Sequence, residues 1–143
     1  MKKILVFAPH PDDEILGVGG TMIKKIKQGH EVYVCIVTKG YPPHFSEERT
    51  TRNRQDAINC HKKIGVKETI FLDFPAVLLE TVDRFELNGR FMDVVKKIQP
   101  DEVYIPHYGD MQRDHIIVAE ACMVALRPKY FPQVKKIFGY ETM

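Results

Sequence analysis

Apolar residues come in short blocks in this sequence, and the stretches between the blocks repeat at helical spacing. Ile4 to Ala8 is a compact apolar run that stops at Pro9, as a buried strand would. Met22, Ile23 and Ile26 are set against Lys24, Lys25 and Lys27, which predicts a helix over Thr21 to Gln28 closed by Gly29. Glu31 to Thr38 is rich in β-branched residues and reads as a second, central strand, followed by a loop through Gly40, Pro42 and Pro43. A helix is expected from Glu47 to Ile64, with Ser46 as its N-cap and Gly65 as its stop. Thr69 to Asp73 is a third strand, with an irregular stretch around Pro75 behind it. Helical period returns from Asp83 to Ile98, weakened at Gly89. Glu102 to Ile105 is a fourth strand ended by Pro106, and Pro106 to Arg113 is a polar loop. Asp114 to Leu126 is a helix with Ile117, Ala121, Val124 and Ala125 on its apolar side, and Val134 to Tyr140 is a last strand.

Strand–helix alternation through the whole length predicts an α/β fold, a doubly wound and mainly parallel sheet with helices on both faces. Ligands of such sheets bind beyond the carboxyl ends of the strands, where the strand order reverses. His10 to Glu14 follows the first strand and His107 to His115 follows the fourth. If those strands are neighbours, the two loops face one crevice.

Composition narrows the function classes. With 143 residues, 44% hydrophobic and 28% charged, the chain suits one soluble domain with a sizeable core. A net charge of +2 gives no field that argues for nucleic acid or a membrane surface as partner. Lys2 and Lys3 before an apolar run resemble a signal peptide, but the run breaks at Pro9 and leads into charge. No segment has the length of a membrane span. Cys35, Cys60 and Cys122 lie in apolar patterns and read as free thiols of a reducing compartment, so the cytoplasm is the expected location.

The chemistry concentrates behind the first strand. His10, Asp12, Asp13 and Glu14 crowd into five positions, and Pro9 and Pro11 stiffen the turn around His10. Crowded carboxylates repel unless a cation, a proton or a basic partner compensates, and a divalent metal is the simplest candidate. Zinc takes imidazole and carboxylate ligands at about 2 Å and keeps a position open where it catalyses. His10 and Asp13 can turn toward one point. A third ligand is expected from Asp114-His115, with Asp114 fixing the local hydrogen bonding. Two histidines and a carboxylate suit Zn2+ or Fe2+. Asp12, left unliganded, would take a proton from metal-activated water, while Glu14 bonds backbone donors near the helix start.

A rival reading is dinucleotide binding by Gly17-Val18-Gly19-Gly20. Met22 stands where a third glycine would fall, Thr38-Lys39-Gly40 offers no acid for a ribose, and the acids ahead of the glycines would repel a pyrophosphate. Close helix–strand packing explains these glycines better. His30 and His61 read as surface or capping residues, and His44 could reach over the crevice from its loop. His107 is a candidate substrate contact or proton donor. Arg52 and Arg54 are candidate contacts to a polar ligand, set against a solvated helix face.

The runs Ala8-Pro-His-Pro-Asp-Asp-Glu14, Lys63-Ile-Gly-Val66, Phe71-Leu-Asp-Phe-Pro75, Gly109-Asp-Met-Gln-Arg-Asp-His115 and Arg127-Pro128, with the stretch 134–142, resemble those of the zinc-dependent amino-sugar N-deacetylases of the PIG-L/LmbE type. The resemblance implies a Rossmann-like fold and removal of an N-acetyl group from an N-acetylglucosamine-type sugar or conjugate, a small-molecule substrate. It implies zinc held by His10, Asp13 and His115, with Asp12 as the general base that returns its proton to the leaving amine. Family members often carry histidine at the place of Gln112, where it supports the oxyanion or acts as an acid. Gln112 can donate a hydrogen bond there but no proton, so acid catalysis would fall to Asp12 or His107. Similar proteins continue past the equivalent of Thr142, so residues 1–143 are expected to form a single deacetylase domain lacking the usual C-terminal portion. Two rivals share the metal site: an amidase acting on a larger amide conjugate, and a metal-binding relative with weakened catalysis. The aglycone stays open, as does the choice between monomer and homo-oligomer.

Overall fold

Side chains along a strand point alternately to opposite faces of its sheet, and the first strand is apolar on both. In the computed structural model, which describes residues 1–142, β1 (Lys3–Ala8) sends Leu5 and Phe7 one way and Ile4, Val6 and Ala8 the other. A strand apolar on both faces must be covered on both, the usual condition of a parallel sheet. Five parallel strands form that sheet in the order β3-β2-β1-β4-β5, with β2 at Glu31–Lys39, β3 at Glu68–Pro75, β4 at Glu102–Pro106 and β5 at Lys136–Tyr140. This is the doubly wound α/β fold that the alternation predicts.

Helices α3 (Arg84–Ile98) and α4 (Arg113–Ala125) cover the Leu5–Phe7 face, where the rings of Phe7 and Phe91 stack at 4.8 Å. On the other face Val18 and Met22 of α1 (Asp13–Lys27) and Ala57 of α2 (Glu47–Ile64) join Ile4, Val6 and Tyr140. The strand order reverses between β1 and β4, which pair with Ile4 opposite Glu102 and Val6 opposite Tyr104. The loops after these two strands therefore open into one crevice, as the sequence suggests.

α1 departs most from the sequence pattern. It starts at Asp13, eight residues before the expected Thr21, and the glycines lie inside it. A side chain at Gly17 would put its Cβ 2.3 Å from the Tyr140 ring, so close approach of β5 requires glycine there. Asp13 and Glu14 occupy the first turn, where acidic residues suit the helix dipole. Smaller differences concern ends: β3 runs on through Pro75 into a 3-10 turn at Leu79–Thr81, α4 begins at Arg113, and β5 begins at Lys136. The caps of α2 are as expected, with Ser46 Oγ accepting from the Arg49 amide and Gly65 left-handed at φ 94°. All three cysteines are free. No described helix is long and apolar enough to cross a membrane.

At the amino end of the sheet Glu102 is 2% exposed, and each of its oxygens accepts from a lysine, Lys2 and Lys25, at 2.7 Å. Hydrogen bonds from these ammonium groups pull its carboxyl from 4.5 down to about 2.

Candidate metal centre

The turn between β1 and α1 is closed by Asp13, whose Oδ2 accepts from the His10 amide at 2.8 Å. The turn before α4 is closed by Gln112, whose Oε1 accepts from the His115 amide at 3.0 Å. Because β1 and β4 are neighbours, these two fixed turns meet. His10 Nδ1, Asp13 Oδ2 and His115 Nε2 form a triangle with edges of 3.2, 3.2 and 3.3 Å. Donor atoms bound at about 2.0–2.1 Å in a tetrahedral site stand about 3.3 Å apart, so the triangle fits one face of such a site.

The far nitrogens of both rings are held by carboxylates. His10 Nε2 donates to Asp114 Oδ2 at 2.9 Å, and His115 Nδ1 donates to Asp110 Oδ2 at 2.8 Å. A carboxylate accepts only, so these nitrogens carry the hydrogens and the opposite lone pairs face the triangle. Three acceptor atoms then confront one another without a donor, and a proton or a metal ion must stand between them. Burial alone would disfavour a charged His10 ring, yet hydrogen bonds to Asp114 and Asp13 raise it from 6.5 to about 9 in the metal-free protein. His115 is raised in the same way by Asp13 and Asp110 against its burial. Asp13 is held well below the carboxylate range by His10 and His115, although burial opposes this. The residue types, the spacing and the unmet charge all fit a divalent cation.

Asp114 is itself anchored. Its Oδ2 also accepts from the Val77 amide at 2.6 Å, and its Oδ1 accepts from the Leu79 amide at 3.3 Å. Val77 has φ 60°, an uncommon conformation for a β-branched residue. Asp12 caps α1 without spending its side chain, which makes no hydrogen bond there. Burial, then the charges of Asp13 and Glu14, raise its carboxyl above the ordinary value. With His10 it borders a cavity of about 190 Å³ that extends past Thr38 and Gly40 to Asn53, Arg54 and Phe71.

Residues 5–126 match the family model described as PIG-L, GlcNAc-PI de-N-acetylase. The chain belongs to the PIG-L family. A PIG-L-like relative described as "Uncharacterized deacetylase YaiS" of Escherichia coli K12 is 29% identical over 99% of this chain and 74% of its own length. The N,N'-diacetylchitobiose deacetylase of Pyrococcus horikoshii superposes with a TM-score of 0.79 at 27% identity, covering 94% of this chain and 52% of that one. The conserved protein TT1542 of Thermus thermophilus shares the fold, with a TM-score of 0.81 at 24% identity over 99% of this chain and 66% of that one. The chain thus spans about half to three quarters of these relatives' lengths.

Within this PIG-L site His10, Asp13 and His115 converge, with Asp12 beside them and Asp114 behind His10. Most of the other expected positions do not line the cavity. Gln112 spends its side-chain oxygen on capping α4. His107 is taken up by its own loop, where Nδ1 accepts from the Gly109 amide at 3.1 Å, and it does not line the cavity. Arg52 lies exposed and pairs with Glu48, outside the cavity, whereas Arg54 and Arg49 line it. His44 is exposed and does not line it either. His61 is buried, not a surface or capping residue, and its Nε2 lies 2.9 Å from Glu14 Oε1. Glu14 bonds the Asp12 amide, the backbone role expected of it. Asp110 escaped sequence reading. Its signal was its place in a tight turn before His115, where its Oδ1 also accepts from the Gln112 amide at 2.8 Å.

Proposed function

We propose that this chain hydrolyses the N-acetyl amide of an N-acetylglucosamine-type sugar or conjugate, with a divalent metal, Zn2+ or Fe2+, held by His10, Asp13 and His115. The observation that carries the reading is the triangle of acceptor atoms with edges of 3.2–3.3 Å beside an Asp12 carboxylate that caps nothing. The metal, when bound, supplies a Lewis acid for the amide carbonyl and lowers the pKa of water from 15.7 toward roughly 7. Asp12 takes the proton of the attacking water and returns it to the amide nitrogen as the C–N bond breaks, so that a neutral amine and acetic acid form, and the acid then gives its proton to solvent and leaves as acetate. Asp114 and Asp110 keep both imidazoles oriented with their lone pairs inward. The side-chain NH2 of Gln112 supports the developing oxyanion, since its oxygen is committed to the cap.

The substrate class is supported by the family description and by the diacetylchitobiose deacetylase that is 27% identical to this chain over 52% of its own length. The test is amine release from N-acetylglucosamine and its conjugates, with Zn2+ or Fe2+ added to metal-free protein. Wild type should release amine and Asp12→Asn should not. Absence of release by wild type with either metal, or equal release by the variant, sinks the reading.

A further inference from the structure

A second buried polar chain runs alongside the metal centre and joins three elements. Glu14 of α1 and His61 of α2 are each 1% exposed. His61 Nε2 lies 2.9 Å from Glu14 Oε1, and its Nδ1 lies 2.8 Å from Thr69 Oγ1 on β3. The carboxylate accepts only, so Nε2 carries the hydrogen and Nδ1 accepts from the threonine hydroxyl. The other Glu14 oxygen accepts from the Asp12 amide at 3.2 Å, a donor shared with the His10 carbonyl at 3.0 Å. Burying this much polarity is costly unless every member is bonded. An apolar side chain would fill the buried position without needing partners, so packing alone does not ask for an imidazole there. What the chain of bonds reaches is Asp12, whose own carboxylate makes no capping bond to hold it.

We propose that His61 is a positioning residue: through Glu14 it fixes the backbone of Asp12 and so aims that carboxylate at the cavity. This rests on the reading of Asp12 as the base. A glutamine at 61 can still place an amide N–H near Glu14, an asparagine reaches only toward Thr69, and a leucine bonds neither. His61→Asn and His61→Leu should move the Asp12 amide resonance in metal-free protein. In the metal-loaded protein they should lower kcat by about tenfold, at unchanged KM and bound metal. His61→Gln should bring both readouts most of the way back. If His61→Leu does not fold, the contrast between Asn and Gln decides. A wild-type Asp12 resonance and kcat in His61→Asn, or equal loss in His61→Gln, overturns the proposal. Should wild type release no amine, the deacetylase reading falls, and the Asp12 resonance alone decides whether His61 positions it.

Discussion

At the amino end of the sheet, Glu102 is buried with one lysine on each oxygen; at the carboxyl end, Asp13 is buried between two imidazoles whose lone pairs point toward it. Burial and charge are present at both ends. What differs is the matching of donors to acceptors. Lys2, Lys25 and Glu102 complete one another, and nothing further is needed there. His10, Asp13 and His115 are each oriented by their outer partners so that three acceptors collide. The first arrangement is complete as it folds, and the second needs a proton or a metal ion between its acceptors.

The comparison breaks most completely by removing a corner of the triangle. Asp13→Ala or His115→Ala should abolish stoichiometric metal binding and amine release together. In wild type, Zn2+ at about 100 times its dissociation constant should add about 2.7 kcal/mol of stability, and thermal scans should show no such rise in either variant. Asp12→Asn separates holding the metal from using it. Its kcat should fall by about 100-fold or more while the rise in Tm with Zn2+ persists. Asp114→Ala releases the His10 ring and should weaken metal binding by about 10- to 100-fold in a competition titration. Asp114→Asn should lose less, because one amide oxygen can still accept from both His10 and Val77.

The smallest effect belongs to the complete end. Glu102→Gln should cost about 1–3 kcal/mol in urea unfolding and leave metal affinity untouched. The Glu102 carboxyl is lowered on folding from 4.5 to about 2, so its contribution is fully present above pH 4.5 and is lost as pH falls toward 2. Over that acid window the stability of wild type should fall more steeply than that of Glu102→Gln.

Much of this was legible in the sequence because the candidate ligands sit at strand ends. His10 and Asp13 share a proline-stiffened turn, and His115 follows another strand, so one assumption about strand order brings all three together. The start of α1 was not legible: glycines 17, 19 and 20 resemble a turn until Tyr140, more than a hundred residues later, is seen to need the space at Gly17. His61 looked like a solvated residue because its partners Glu14 and Thr69 come from other elements. Arg52 and Arg54 are two positions, about 200°, apart on α2. Only the structure shows that Arg54 turns inward, over the Phe71 ring at 3.9 Å and onto Asp73 at 2.7 Å.

Asp114 Oδ2 has a consequence of its own. The amide of Val77 and the ring of His10 hang from that single atom, so the connection after β3 and the candidate metal ligand form one linkage. Val77 is half-exposed, and a molecule pressing on it would tilt the imidazole. With cobalt bound at the candidate site, that tilt should register as a change of colour.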